Sequence, residues 1–142
     1  MSAGKILVVD DEAHITHVLA LKLRNAGFTV RTASDGEEAF ELASQDPPDV
    51  LITDLQMPYM TGLELCIKLK KKPATAQIPA LMLTARGHAL GESDLQSTNI
   101  RMVLSKPFSP RHVLEEVERI LGRGGAAGSG DGGGAGTEKE AA

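Results

Sequence analysis

The sequence predicts an α/β fold, a doubly wound five-stranded parallel sheet with five helices, over residues 4–121. Three observations predict it. Short apolar runs alternate five times with segments of helical period. Runs such as "ILVV" and "VLI" are continuously apolar, so their strands are buried on both faces. Glycine, proline and capping residues stand where the runs change period.

Each element follows in order. Lys5–Val9 is the first strand. Glu12–Ala26 is a helix with Ile15, Val18, Leu19 and Leu23 at helical spacing, and Gly27 follows where a left-handed residue ends a helix. Phe28–Ala33 is the second strand. Ser34 opens the second helix, with Glu37 three residues on as a capping box, and "DPPD" stops it because proline cannot continue a helix. Val50–Thr53 is the third strand. Leu63–Lys71 is the third helix, with Thr61 and Glu64 in capping-box spacing and Cys66 among core leucines. The basic "KLKKKP" at its end complements the helix dipole. Ile78–Leu83 is the fourth strand. A fourth helix is expected within Arg86–Asn99, although Gly87 and Gly91 weaken it. Arg101–Ser105 is the fifth strand. Ser109 caps the last helix, Pro110 takes its first position, and Val113, Leu114, Val117, Ile120 and Leu121 form its buried face.

In such sheets ligands bind beyond the carboxyl ends of the strands. Asp10 and Asp11 follow the first strand, Asp54 the third, Thr84 the fourth and Lys106 the fifth. If strands one and three are neighbours, three carboxylates converge on one edge. They ionise together only when a cation neutralises them, and hard oxygens with few protein ligands suit Mg²⁺. Thr84 offers a hydroxyl donor and Lys106 a compact positive charge, which together with the metal make a phosphoryl pocket. The nucleophile would be a carboxylate forming an aspartyl phosphate.

Four separated motifs, "VVDDE", "ITDLQMPYMTG", "MLTAR" and "SKPF", resemble the receiver domain of bacterial response regulators, the family of the chemotaxis response regulator. The resemblance covers about residues 4–121 and implies a flavodoxin-like strand order of 2-1-3-4-5. It implies that Asp54 accepts the phosphoryl group, that Asp11 ligates Mg²⁺ directly and Asp10 largely through water, and that the Gln56 backbone carbonyl is a further ligand. Thr84 would bond a phosphoryl oxygen, Lys106 would pair with the group, and the Lys106–Pro107 peptide would be cis. Gly62 holds the family's glycine before helix three. Gln56 and Arg86 stand where receivers tune water access. The implied partners are a histidine kinase or histidine phosphotransfer protein, docking near Ile15, Val18 and Pro107, and an output protein of unknown identity. Two positions depart from the pattern. Val103 replaces the usual aromatic three residues before the lysine, and Asn99, which tolerates the left-handed region, stands where glycine is common.

Composition narrows the rest. The formal net charge of −4 argues against direct nucleic-acid binding. No apolar run reaches the roughly 18 residues that cross a bilayer. The single cysteine cannot form an internal bridge, and with no secretory signal visible the expectation is a cytoplasmic protein, monomeric or weakly dimeric. The histidines lack partners for a zinc pattern. Residues 122–142 carry no apolar side chain larger than alanine, which predicts a flexible Gly-rich tail, either a tether or a solvated extension.

Three other functions compete. A phosphohydrolase of the haloacid dehalogenase type wants a second acid two residues after the nucleophile, where Gln56 stands. A flavodoxin-like cofactor binder wants a hydroxyl- or glycine-rich phosphate loop where "DDEAH" stands. A constitutive binding module would not need the acid, threonine and lysine set.

Overall fold

The computed structural model describes residues 3–85 and 90–123. Its elements are β1 (Lys5–Val9), α1 (Ala13–Asn25), β2 (Thr29–Ala33), α2 (Gly36–Gln45), β3 (Val50–Asp54), α3 (Gly62–Lys70), β4 (Ala80–Thr84), α4 (Glu92–Gln96), β5 (Ile100–Ser105) and α5 (Pro110–Ile120). All strand pairings are parallel, in the order β2-β1-β3-β4-β5. This is the expected doubly wound sheet.

Strand alternation divides the core into two layers. Ile6, Val8, Val50, Ile52, Leu81 and Leu83 face one side, where Leu19, Ala20 and Leu23 of α1 and Val113 and Val117 of α5 cover them. Leu7, Val9, Leu51, Ala80 and Met82 face the other, under Ala39 and Ala43 of α2 and Leu65, Cys66 and Leu69 of α3. Cys66 is core, as expected, and burial pushes its thiol up to about 12.

Several local expectations change. The N-cap of α2 is Asp35, not Ser34: Asp35 is extended and its carboxylate accepts from the Glu38 backbone N–H at 2.8 Å. Glu38, not Glu37, reaches back, accepting from the backbone N–H of Ser34, one residue before the cap, at 2.9 Å, so no reciprocal box with Asp35 closes. Starting the helix at Gly36 lets Met60 pack where a side chain would otherwise stand. The fourth strand begins at Ala80 rather than Ile78, because the Ile78 N–H closes a turn on Thr75 and Pro79 has none to give. Val18 does not enter the core; it is exposed on α1, while Thr16 is buried there instead. Glu116 joins the buried face of α5, its Oε2 receiving Arg119 at 2.7 Å. Asn99 is not left-handed; its side-chain amide donates to the Gln77 carbonyl at 2.8 Å. Gly27 does take positive φ, at +101°. Of the fourth helix only α4 falls among the described residues, and Arg86 with the tail from residue 124 onward lies outside them.

Candidate functional site

The strand register assembles the site. Val9 of β1 pairs with Thr53 of β3, so Asp10 and Asp54 project side by side at the carboxyl edge. Asp54 in turn pairs with Leu83, one residue before Thr84, and Thr84 pairs with Ser105, one residue before Lys106. Asp10 and Asp54 are almost fully buried, while Asp11, at the start of the β1–α1 turn, is exposed.

One carboxylate oxygen from each of Asp10, Asp11 and Asp54 lies within 4.8 Å of the others. Lys106 Nζ stands 2.9 Å from Asp54 Oδ1 and 3.6 Å from Asp10 Oδ2. Those two buried oxygens have no well-directed hydrogen bond, so the ammonium meets them as a charge. Asp10 Oδ1 accepts from the Glu12 backbone N–H at 2.9 Å. The Lys106–Pro107 peptide is cis, as expected.

Charge is crowded here. Burial, with added repulsion from Asp54, holds the Asp10 carboxyl up at about 6, although the Glu12 N–H pulls against it. Burial also raises Asp54, opposed by Lys106. Burial alone would lower the Lys106 ammonium, but the adjoining carboxylates outweigh it and raise it. One ammonium beside Asp10 and Asp54, with the Asp11 carboxylate adjoining, leaves net negative charge. Two poorly satisfied buried oxygens beside an exposed carboxylate form a hard-oxygen set that fits a divalent cation such as Mg²⁺.

Thr84 is buried at the end of β4, its hydroxyl donating to the Ala85 carbonyl at 3.3 Å. Gln56 has a side-chain role the sequence did not reveal: its Oε1 accepts from the Ala85 N–H at 3.2 Å, joining the loops after β3 and β4. Val103, opposite Met82 in the sheet, is half-buried against the α2–α3 layer. Beside the site an apolar cavity of about 320 Å³ opens between α1 and the β5–α5 loop. Ile15, Val18 and Pro107 line it, with His14, Leu19 and Phe108. The exposure of Val18 is thus part of this opening.

In the β3–α3 loop Tyr59 is left-handed (φ +69°) and fully exposed. An L side chain there costs about 1 kcal/mol or more. Tyr59→Asn is therefore expected to stabilise the protein by about 0.5 kcal/mol in urea denaturation. Any loss of stability would show that the ring makes a compensating contact.

Comparison with known proteins decides the family. The profile of the response regulator receiver domain matches residues 6–118. The chain belongs to the response regulator receiver family. It is a receiver of two-component signalling, and the family is not one of metabolic enzymes. It is 40% identical over 127 residues to the alkaline phosphatase synthesis transcriptional regulatory protein PhoP of Bacillus subtilis, covering 84% of this chain and 49% of that one. It is 38% identical over 119 residues to the probable transcriptional regulator ycf27 of Guillardia theta, covering 84% and 46%. The chain thus spans about half the length of the curated relatives it matches. Among solved structures, the chemotaxis response regulator CheY4 of Vibrio cholerae superposes with a TM-score of 0.76 at 34% identity, covering 85% of this chain and 99% of that one.

Proposed function

We propose that this receiver accepts a phosphoryl group on Asp54 from a histidine kinase or histidine phosphotransfer protein in a Mg²⁺-dependent reaction, and thereby switches a protein–protein interaction. The observation that carries the reading is the placement of the buried Asp54 carboxylate between Lys106 and the Asp10–Asp11 pair. Asp10, Asp11 and Asp54, with the Gln56 backbone carbonyl, would hold the metal. When bound, Mg²⁺ supplies the positive charge that lets the carboxylates and a phosphoryl group share one site.

In the transfer, an Asp54 carboxylate oxygen forms a bond to phosphorus as the donor's P–N bond breaks, and the departing imidazole keeps the electron pair and takes up a proton. Lys106 moves its charge from the Asp54 oxygen to a phosphoryl oxygen. The Thr84 hydroxyl, which donates to the Ala85 carbonyl at 3.3 Å in the free protein, would donate to another. The chain's contribution is positioning and charge. The cavity beside Lys106, with Val18 and Phe108 on its walls, suits an apolar helix of the donor. The folded unit of this reading is residues 4–121, placed in the cytoplasm, and its output is a partner protein that this chain does not identify.

Intact-protein mass spectrometry after incubation with Mg²⁺ and acetyl phosphate tests it. One phosphoryl adduct is expected, and none when Mg²⁺ is chelated. No adduct, together with no Mg²⁺ binding by titration, would reduce the site to a scaffold; turnover of unrelated phosphate esters would point to a hydrolase instead.

A further inference from the structure

Away from the strand edge, a groove of about 650 Å³ runs between α2 and the end of α3. Its two walls carry opposite charge. Glu37 and Glu41 stand on the α2 wall, Lys68 and Lys72 on the other, and the half-buried Phe40 ring between them. Within each wall the charges are alike, and Glu37 and Glu41, four residues apart on α2, repel by about 0.2–0.5 kcal/mol. Among the described residues, no acid on one wall forms a salt bridge with a lysine on the other. Lys68 Nζ lies 4.5 Å and Lys72 Nζ 5.3 Å from the Phe40 ring centroid, and Lys72 donates to the Ser44 hydroxyl at 3.2 Å. Among the described residues neither lysine is ion-paired, and the Glu37 and Glu41 side chains have no partner. Their neighbour Glu38 is occupied in capping α2.

A surface with one acidic and one basic wall is complementary to itself. A two-fold axis running along the groove carries the α2 wall of one copy over the α3 wall of the next, and the contact closes on itself. An acidic or a basic partner would satisfy one wall and repel the other. We propose that the α2–α3 groove is a homodimer interface, in which Glu37 and Glu41 of each copy pair with Lys68 and Lys72 of the other around the two Phe40 rings. It lies on a different part of the molecule from the Asp54 site and stands independently of phosphorylation.

Sedimentation velocity across a concentration series tests it. The protein is expected to show a monomer–dimer equilibrium that weakens roughly tenfold between about 0.05 M and about 0.5 M salt. Glu37→Lys with Glu41→Lys gives a groove with two basic walls, and Lys68→Glu with Lys72→Glu one with two acidic walls. Each variant alone is expected to be monomeric, with circular dichroism confirming its fold, and their equimolar mixture to dimerise. That mixture separates lost pairing from damaged folding. A wild-type protein monomeric throughout, a dimer that survives both reversals, or a mixture that stays monomeric would each overturn the proposal.

Discussion

Asp54→Asn is expected to abolish phosphoryl uptake from acetyl phosphate and, in the absence of metal, to raise the melting temperature. The two effects have one origin. The site gathers three carboxylates within 4.8 Å around a single lysine, and two of those carboxylates are buried. Asparagine removes the nucleophilic oxygen and with it a buried negative charge that the metal-free protein tolerates poorly. The neighbouring position gives the size of the strain. The Asp10 carboxyl is raised from 3.8 to about 6, so ionising it disfavours the folded state by roughly 3 kcal/mol at 1.36 kcal/mol per pKa unit. The sign follows from the upward shift: stability is fully present below the carboxyl's ordinary range, falls as pH rises towards about 6, and is lost above it. Asp54 shifts in the same direction and adds to the slope. Melting in chelator should therefore give lower temperatures at neutral than at mildly acidic pH, with a shallower profile for Asp10→Asn. That variant should exceed wild type by up to about 3 kcal/mol at neutral pH. Saturating Mg²⁺ should narrow the gap, because it binds the folded wild type and stabilises it by mass action. An Asp10→Asn protein less stable than wild type in chelator at neutral pH would sink the argument.

The site was legible because its residues follow buried strands. An apolar run that ends in a polar residue marks the carboxyl edge, and parallel pairing brings successive ends together. Asp10, Asp54, Thr84 and Lys106 all stand where that logic puts them. What was missed depends on contacts between elements. Ser34 and Asp35 are both good caps, and Glu37 and Glu38 can each close a box; the choice falls to Asp35 because Gly36 must lie against Met60. Backbone preference points Asn99 to the left-handed region, but its amide is committed to Gln77, in the loop before β4. "KLKKKP" complements the α3 dipole, and Lys68 and Lys70 do occupy its last turn. That Lys68 and Lys72 also meet Phe40 follows only once α2 and α3 pack together. The Gln56 bond to Ala85 is of the same kind, a side chain reaching between loops far apart in sequence.

Gly62→Ala is expected to cost about 3 kcal/mol and to slow phosphoryl uptake at the same time. Gly62 opens α3 directly beneath the phosphoacceptor strand, and its N–H donates to the Leu55 carbonyl at 2.9 Å. A β-carbon there would run into the Asp54 carbonyl oxygen and would stand 3.1 Å from the Asp54 carbonyl carbon and 3.0 Å from Met82 Sδ. Two of those obstacles are backbone atoms of the strand carrying the nucleophile. The strain can be relieved only by moving α3 or Asp54, and a displacement of about 1 Å can cost on the order of a hundredfold in rate. Gly36→Ala makes the control. Its β-carbon would lie 2.7 Å from Met60 Sδ and 2.9 Å from Met60 Cβ and Cγ, so Met60 and its loop must shift, but it meets no atom of the strand carrying Asp54. That variant should lose about 2 kcal/mol and keep its uptake rate. Urea denaturation and the time course of adduct formation read both effects. Equal slowing of uptake in the two variants would mean that helix packing, not the position of Asp54, is what Gly62 protects. A Gly62→Ala protein with normal uptake would show that the strand edge yields without disturbing the nucleophile.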